Sequence, residues 1–158
     1  MTVTAWRFAK AKHADQAFAG EGARKFGGRW NNPGTPVVYA ASGISLALLE
    51  LLAHLEDASI LPSYVLFRAD INDSLIETLD QAILPKDWRD SPAPASVKAL
   101  GDKWFEQSRS AVLAVPSAIS PPEKNYLINP AHPDFRKIKT SGPVDYEYDP
   151  RIMELARG

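Results

Sequence analysis

The sequence of 158 residues contains no cysteine, which excludes disulfide bonds, thiolate catalysis and the zinc sites that are built from cysteine. It has only three histidines, His13, His54 and His132, and no two of them lie one helical turn apart. A transition-metal site is therefore not expected. The absence of cysteine fits a reducing compartment, so we expect the protein to be cytoplasmic.

The sequence also lacks an excess of either charge, since 18 Lys and Arg stand against 19 Asp and Glu, a net charge of -1. This balance argues against direct binding of nucleic acid or of an anionic membrane surface. The longest apolar region, residues 37–55, is interrupted by Glu50 and His54. Because a charge near a bilayer centre costs about 2.5–3.5 kcal/mol, we expect no membrane segment there. The first residues also lack the apolar stretch of a signal peptide.

The composition is that of an ordinary globular domain, with 45% hydrophobic and 23% charged residues. The length fits one domain over residues 1–158, and 13 prolines between the apolar segments predict short elements. The patterns predict helices near residues 43–56, 96–108 and 152–156, and strands near residues 3–8, 37–41, 64–69, 111–115, 126–128 and 135–139. We therefore expect an α+β domain, a mostly antiparallel sheet with flanking helices.

Glu50 is the most informative residue of the predicted helix 43–56, for which Ser42 is a candidate N-cap. Leucine, isoleucine and alanine occur nearly all round this helix, so the helix is expected to be buried. No Lys or Arg occurs between Arg29 and Arg68 to neutralise the carboxylate locally. A desolvated carboxylate without a partner is commonly kept for function. The alternative is that Glu50 lies on a solvent-exposed edge of the helix, near Asp57.

A second candidate lies in the glycine-containing segment 20–30, which is predicted to be a loop. Gly27 and Gly28 allow a tight turn, and the guanidinium of Arg29 directly after them suits a phosphate or a carboxylate. Tyr39 follows nearby and could stack on a flat ring. The segment is neither a P-loop nor a G-x-G-x-x-G motif. The alternative is a hairpin with a core tryptophan and a surface arginine.

Ser117 follows the apolar run 111–115 and lies between prolines, where its hydroxyl would be held rigidly at the end of a strand. The G-x-S-x-G pattern of hydrolase nucleophiles is absent around it, so a positioned hydrogen-bonding serine is favoured over a nucleophile. Asn125 and Asn129 stand close to prolines, where asparagine usually satisfies the backbone of a turn.

In order and spacing, these segments resemble the RES-domain toxins of bacterial toxin–antitoxin pairs, a family named for arginine, glutamate and serine. The resemblance covers essentially the whole chain. It is carried by Trp6-Arg7, Gly20–Ala23, Gly27–Asn31, Val38–Ala40, Ala47–Glu50, Pro85–Trp88, Gly101–Trp104, Val115–Ile119, Asn125–Pro133 and Tyr148–Arg151.

The resemblance implies a fold similar to that of the ADP-ribosyltransferase toxins and an attack on NAD, which would be a substrate and not a cofactor. By the same resemblance, Glu50 would be the catalytic carboxylate. Arg29 would hold the phosphates or the nicotinamide ribose, and Tyr39 would pack against the nicotinamide ring. Ser117 and Asn129 would complete the wall of the pocket.

Arg7 also belongs to the family pattern, so it is a second candidate for the arginine that faces the ligand. The resemblance further implies a partner, an antitoxin of the Xre helix-turn-helix type, that blocks the NAD cleft and carries out the DNA binding. Some members of the family degrade NAD and others transfer ADP-ribose to a protein. Both reactions begin by breaking the nicotinamide–ribose bond, and the sequence leaves the acceptor open among water, phosphate and a protein.

Two other classes of function remain compatible with the sequence. One is a non-catalytic module that binds NAD or another nucleotide, in which Glu50 is a structural acid. The other is a nuclease-type toxin that uses Arg29, His132 and Glu50 on RNA, although a basic stripe is missing.

Overall fold

A seven-stranded sheet forms the centre of the fold in the computed structural model, which describes residues 1–157. The strands are β1 (Thr2–Lys10), β2 (Val38–Ala41), β3 (Tyr64–Asn72), β4 (Ile76–Thr78), β5 (Val112–Pro116), β6 (Lys124–Ile128) and β7 (Lys139–Val144). Their order is β4-β5-β6-β2-β1-β3-β7, and only the β4–β5 pair is parallel. The predicted α+β class with a mostly antiparallel sheet is confirmed. The last residue of the predicted domain, Gly158, lies outside the described residues.

The helices of the described chain are α1 (Glu21–Phe26), α2 (Ile44–His54), α3 (Ala95–Glu106) and α4 (Pro150–Arg157). The α3 helix buries Val97 and Trp104 in one core cluster with Leu113 and Leu127 of the sheet. The α2 helix joins a second cluster that includes Phe8, where the sheet begins to open. No helix among residues 1–157 is both long and apolar enough to cross a membrane.

The prediction that α2 is buried nearly all round is wrong. The helix buries Leu46, Ala47 and Leu48 against the sheet, whereas Leu49 is 49% exposed and Ala53 is exposed. The reason is that the fold covers only one side of α2. Its apolar composition made the helix look buried, but its second side faces a cleft and solvent.

Three local predictions also differ from the structure. Segment 20–30 is not entirely a loop, because residues 21–26 form the α1 helix. An i,i+3 salt bridge of 2.8 Å between Arg24 and Glu21 stabilises this helix. The N-cap of α2 is Gly43, which follows the predicted Ser42. Residues 133–137 form a 3₁₀ turn, and only then does β7 begin.

The sheet opens between β1 and β2, and this opening creates space for a site. β1 pairs with β3 along its whole length, whereas it pairs with β2 only where Trp6 faces Ala41. Beyond that point the side chain of Arg7 bridges the two diverging strands by donating a hydrogen bond of 3.0 Å to the carbonyl oxygen of Tyr39.

Candidate active site

A cleft of about 1040 Å³ lies where β1 and β2 diverge. Its walls come from these two strands, from α1 and α2, and from the loops around residues 89–93 and 118–119. A space of this size is sufficient for a nucleotide ligand. Four of the predicted site residues line it together, although they are widely separated in sequence: Arg7, Arg29, Tyr39 and Glu50.

Glu50 projects from α2 and is held at both carboxylate oxygens. Its Oε1 accepts a hydrogen bond of 2.9 Å from Ser117 Oγ, and its Oε2 accepts one of 2.7 Å from Asn125 Nδ2. Burial raises the pKa of Glu50 above its ordinary value, while these two hydrogen bonds act in the opposite direction. The charge of Arg29 also lowers this pKa. Glu50 is therefore a fixed carboxylate in a partly desolvated position facing an arginine.

Ser117 contacts Glu50 but does not itself line the cleft. The residue is 0% exposed, and it reaches the cleft only through its contact with Glu50. The alternative of a positioned hydrogen-bonding serine matches the geometry. Its Oγ accepts hydrogen bonds from the backbone N–H groups of Ile119 and Ser120, which directs its own proton toward Glu50.

Asn125 is a site residue that the sequence reasoning missed. It lies on β6 opposite Ala41, the last residue of β2, and β2 leads directly into the helix that carries Glu50. Its Nδ2 donates to Glu50 and, at 3.3 Å, to the carbonyl oxygen of Ala40. From the sequence, Asn125 was expected beside a turn. Its place in the site depends on strand pairing between distant segments, which the sequence alone does not show.

Asn129, which was predicted to complete the pocket wall, lies beyond the opposite end of β6 and is not among the residues that line the cleft. It is 1% exposed, and its side-chain oxygen accepts a hydrogen bond of 2.9 Å from the N–H of Ala131. Asn129 thus satisfies turn backbone, which is the role that the sequence had equally offered for asparagine beside proline.

Arg29 lies in the cleft and joins two of its walls. Its Nη1 donates hydrogen bonds of 2.9 Å to the carbonyl oxygens of both Trp88 and Asp90. Burial lowers the pKa of Arg29, while the nearby charge of Glu50 acts to raise it. Arg29 and Glu50 therefore line the same cleft, and each is close enough for its charge to act on the pKa of the other.

Tyr39 lines the cleft, and its hydroxyl group is already engaged by the protein. The hydroxyl donates to Asn31 Oδ1 at 2.5 Å and accepts a hydrogen bond of 3.1 Å from the N–H of Trp30. A side chain at Gly28 would collide with this phenol, since its Cβ would lie 2.6 Å from the Tyr39 oxygen. Burial raises the pKa of Tyr39, which keeps the phenol protonated at neutral pH.

Arg7 is bound to backbone carbonyls instead of to an acidic side chain. Its Nε donates to Ala17 at 2.8 Å, in addition to the Nη1 bond to Tyr39. Burial lowers the pKa of Arg7 to about 10. The guanidinium retains its charge at neutral pH and presents it inside the cleft.

The proposed nuclease set of Arg29, Glu50 and His132 is not brought together. His132 does not line the cleft, and its ring instead contacts the carbonyl oxygen of Ser108 and accepts from the N–H of Asp134. His13 and His54 do line the cleft, and His54 lies one helical turn after Glu50 on α2.

The fold and the cleft together define a class of protein: one α+β domain whose sheet opens at a cleft lined by a fixed glutamate and an arginine. The sequence profile described as the RES domain matches residues 4–149. The chain belongs to the RES-domain family.

Two relatives match nearly their full length. A protein named Toxin Res from Photorhabdus laumondii subsp. laumondii is 41% identical over 154 residues, which span 96% of this chain and 98% of that protein. A protein named Prs ADP-ribosylating toxin from Sphingobium sp. is 38% identical over 161 residues, which span 99% of this chain and 100% of that protein.

Among solved structures, a chain in the crystal structure of the M. tuberculosis MbcT–MbcA toxin–antitoxin complex has a similar fold. The TM-score is 0.75 at 24% sequence identity, and the match covers 99% of this chain and 90% of that one. This likeness supports the α+β architecture.

Proposed function

We propose that this chain is the toxin of a toxin–antitoxin pair and that it breaks the nicotinamide–ribose bond of NAD, which depletes NAD by hydrolysis or phosphorolysis. The observation that carries the proposal is Glu50, a carboxylate fixed by Ser117 and Asn125 on the wall of a large cleft. The relatives named Toxin Res and Prs ADP-ribosylating toxin support the biological role.

The position of Glu50 suits the chemistry of an N-glycosidic bond. As the bond lengthens, the ribose gains oxocarbenium character, and a negative charge beside it stabilises the transition state more than the ground state. The carboxylate would also accept a hydrogen bond from a ribose hydroxyl. Nicotinamide departs as a neutral molecule, because the electron pair of the broken bond passes to the ring nitrogen and cancels its positive charge. The reaction therefore needs no strong acid.

The roles of the other residues follow from the groups that their hydrogen bonds within the protein leave free. Tyr39 would pack its ring against nicotinamide, because its hydroxyl is engaged with Asn31 and Trp30. Arg29 has used only Nη1 on backbone carbonyls, so its remaining N–H groups would hold a phosphate or the nicotinamide ribose. Arg7 would add a second positive charge and fix the backbone of Tyr39.

Transfer of ADP-ribose to a host protein is a second candidate, favoured by the full-length relative named Prs ADP-ribosylating toxin. Exposed Phe26 and Ile119 also line the cleft, where they would contact a protein acceptor. Both reactions share the first bond cleavage and differ in what attacks the ribose afterwards.

The test is to incubate the purified chain with NAD and to resolve all products by mass. Release of nicotinamide with free or phosphorylated ADP-ribose is the expected result. Release that occurs only when a lysate protein gains one ADP-ribose mass would favour the second candidate. The absence of nicotinamide release in both settings would contradict the proposed reaction.

The proposal includes a cognate antitoxin of the Xre helix-turn-helix type that occludes the cleft. Mixing the two proteins at equal concentration is expected to stop NAD consumption. Unimpeded consumption by a complex of the two would contradict occlusion.

A further inference from the structure

The positive charges of the cleft outnumber its negative charges. The Lys and Arg side chains that line it are Arg7, Lys10, Lys25, Arg29, Arg89 and Lys98. None of these six forms a salt bridge within residues 1–157, whereas the salt bridges of the structure all involve other basic groups. The acids of the lining are Glu21, which is bonded to Arg24, and Glu50. A cleft with this imbalance is suited to a ligand of several negative charges.

Three of these cations are connected into one continuous wall. Lys98 on α3 donates from Nζ at 3.1 Å to the carbonyl oxygen of Gly28, the residue before Arg29. Arg29 in turn bonds the carbonyl oxygens on both sides of Arg89, those of Trp88 and Asp90. These contacts fix the order Lys98, Arg29, Arg89 along the wall.

The same wall ends beside the catalytic carboxylate of the proposed reaction. Arg89 donates from Nε at 2.8 Å to the carbonyl oxygen of Ala118, and Ala118 directly follows Ser117. Ser117 holds Glu50. A ligand bound along Arg89 would therefore lie close to the groups that surround Glu50.

The hydrogen bonds within this wall leave its charge and most of its donors free. Every acceptor is a neutral backbone carbonyl, so no positive charge is cancelled. Among the described residues, the two terminal nitrogens of Arg89 have no acceptor, and Lys98 uses one of its three N–H groups. Asp90 follows Arg89 in sequence but forms no ion pair with it.

We propose that Arg89 and Lys98, with Arg29 between them, bind the diphosphate group of the nucleotide substrate. This assignment rests on the proposed function, which gives the substrate two linked phosphates beside the scissile ribose. The planar guanidinium groups match phosphate oxygens in pairs, and the ammonium group of Lys98 adds a point charge at the far end of the wall. Arg89 and Lys98 are binding residues in this account, and the bond cleavage belongs to Glu50.

The first experiment measures the Kd of ADP-ribose by calorimetry for the wild-type chain, Arg89→Gln and Lys98→Gln. Each variant is expected to bind about tenfold more weakly, because each loses a charge-assisted hydrogen bond. Lys86→Gln is the matched control, since Lys86 is an exposed lysine of the same loop that does not line the cleft. Its Kd is expected to equal that of the wild type.

Unchanged ADP-ribose binding in both variants, or no binding by the wild type, would overturn the assignment. This readout does not require NAD cleavage, so it separates the two proposals. Binding of ADP-ribose through Arg89 and Lys98 without release of nicotinamide would support the diphosphate site and contradict the proposed reaction.

The second experiment compares NAD with nicotinamide riboside, which has the scissile bond but no diphosphate. Arg89→Gln is expected to raise KM for NAD about tenfold with little change in kcat, and to leave kcat/KM for the riboside unchanged. An equal loss with both substrates would show a general disturbance of the site and would contradict a role in diphosphate binding.

Discussion

Glu50 combines surroundings that disfavour its charge with hydrogen bonds that favour it. Burial raises its pKa, and the donors Ser117 and Asn125 oppose that effect. The two hydrogen bonds oppose the effect of burial and hold the carboxylate stationary, which the proposed stabilisation of a cationic transition state requires.

Ser117→Ala tests this balance. Removing the hydroxyl takes away a hydrogen bond that lowers the pKa of Glu50, so that pKa rises further. Because the proposed reaction uses the ionised form of Glu50, the acid limb of the pH–rate profile for nicotinamide release is expected to move toward higher pH.

Ser120→Ala is the control for this change. Ser120 bonds Ser117 through its backbone N–H, which the substitution keeps. Its pH–rate profile is expected to match the wild type. A Ser117→Ala profile with lower rates but an unmoved acid limb would contradict the role assigned to the hydroxyl.

The raised pKa of Glu50 also predicts how stability depends on pH. A carboxyl group whose pKa is higher in the folded state stabilises that state at low pH, and this contribution is lost as the pH rises through the folded-state pKa. Glu50→Gln is therefore expected to have a Tm a few degrees above the wild type at pH 7, with the difference shrinking toward pH 4. Thermal unfolding followed by circular dichroism measures this, and a variant less stable than the wild type at both pH values would refute the argument.

The sequence was sufficient to find the residues whose type is unusual for their position. Glu50 could be singled out because a lone acid interrupts an apolar helix, and Arg29 because it follows two glycines. Asn125 could not be separated from Asn129 by type or by neighbours. Only the pairing of β6 with β2 shows which asparagine reaches the carboxylate.

The α3 helix contacts the Arg29 segment through a glycine. A Cβ at Gly101 would lie 1.8 Å from the carbonyl oxygen of Trp30, so the helix can approach that backbone only because no side chain is present. This close approach fixes the wall from which Arg29 and Lys98 enter the cleft.

Gly101→Ala is expected to destabilise the protein by about 3 kcal/mol in urea unfolding, because the contact is with rigid backbone. Gly22→Ala on α1 is the matched change, since its Cβ would meet nothing within 4 Å. That variant is expected to be as stable as the wild type or more stable by about 0.5–1 kcal/mol through helix propensity. Similar stability of the two variants would contradict the packing described for α3.

Elements with a strong period could be predicted, and those defined by contacts could not. β1, β2, β3 and α3 lie where apolar patterns indicated them. The α1 helix was not predicted, because the glycines of its segment are typical of a loop. The Arg24–Glu21 salt bridge nevertheless stabilises its turn. The exposed side of α2 was hidden because hydrophobic composition does not tell which side a sheet will cover.

Over the chain as a whole, the net charge of -1 conceals a strongly uneven distribution. The basic groups that form salt bridges lie outside the cleft, and those that line the cleft remain unpaired among the described residues. The composition gives only the sum of the charges and not their positions. The opening between β1 and β2, which no local pattern indicates, is what gathers these charges around Glu50.

The most direct test of the account is the initial rate of nicotinamide release from saturating NAD by the wild-type chain, Glu50→Gln and Glu56→Gln. Glu56 is an exposed glutamate just beyond α2 and controls for loss of an acid near that helix. The account predicts a rate at least about 100-fold lower for Glu50→Gln and an unchanged rate for Glu56→Gln. Wild-type turnover by folded Glu50→Gln would contradict it.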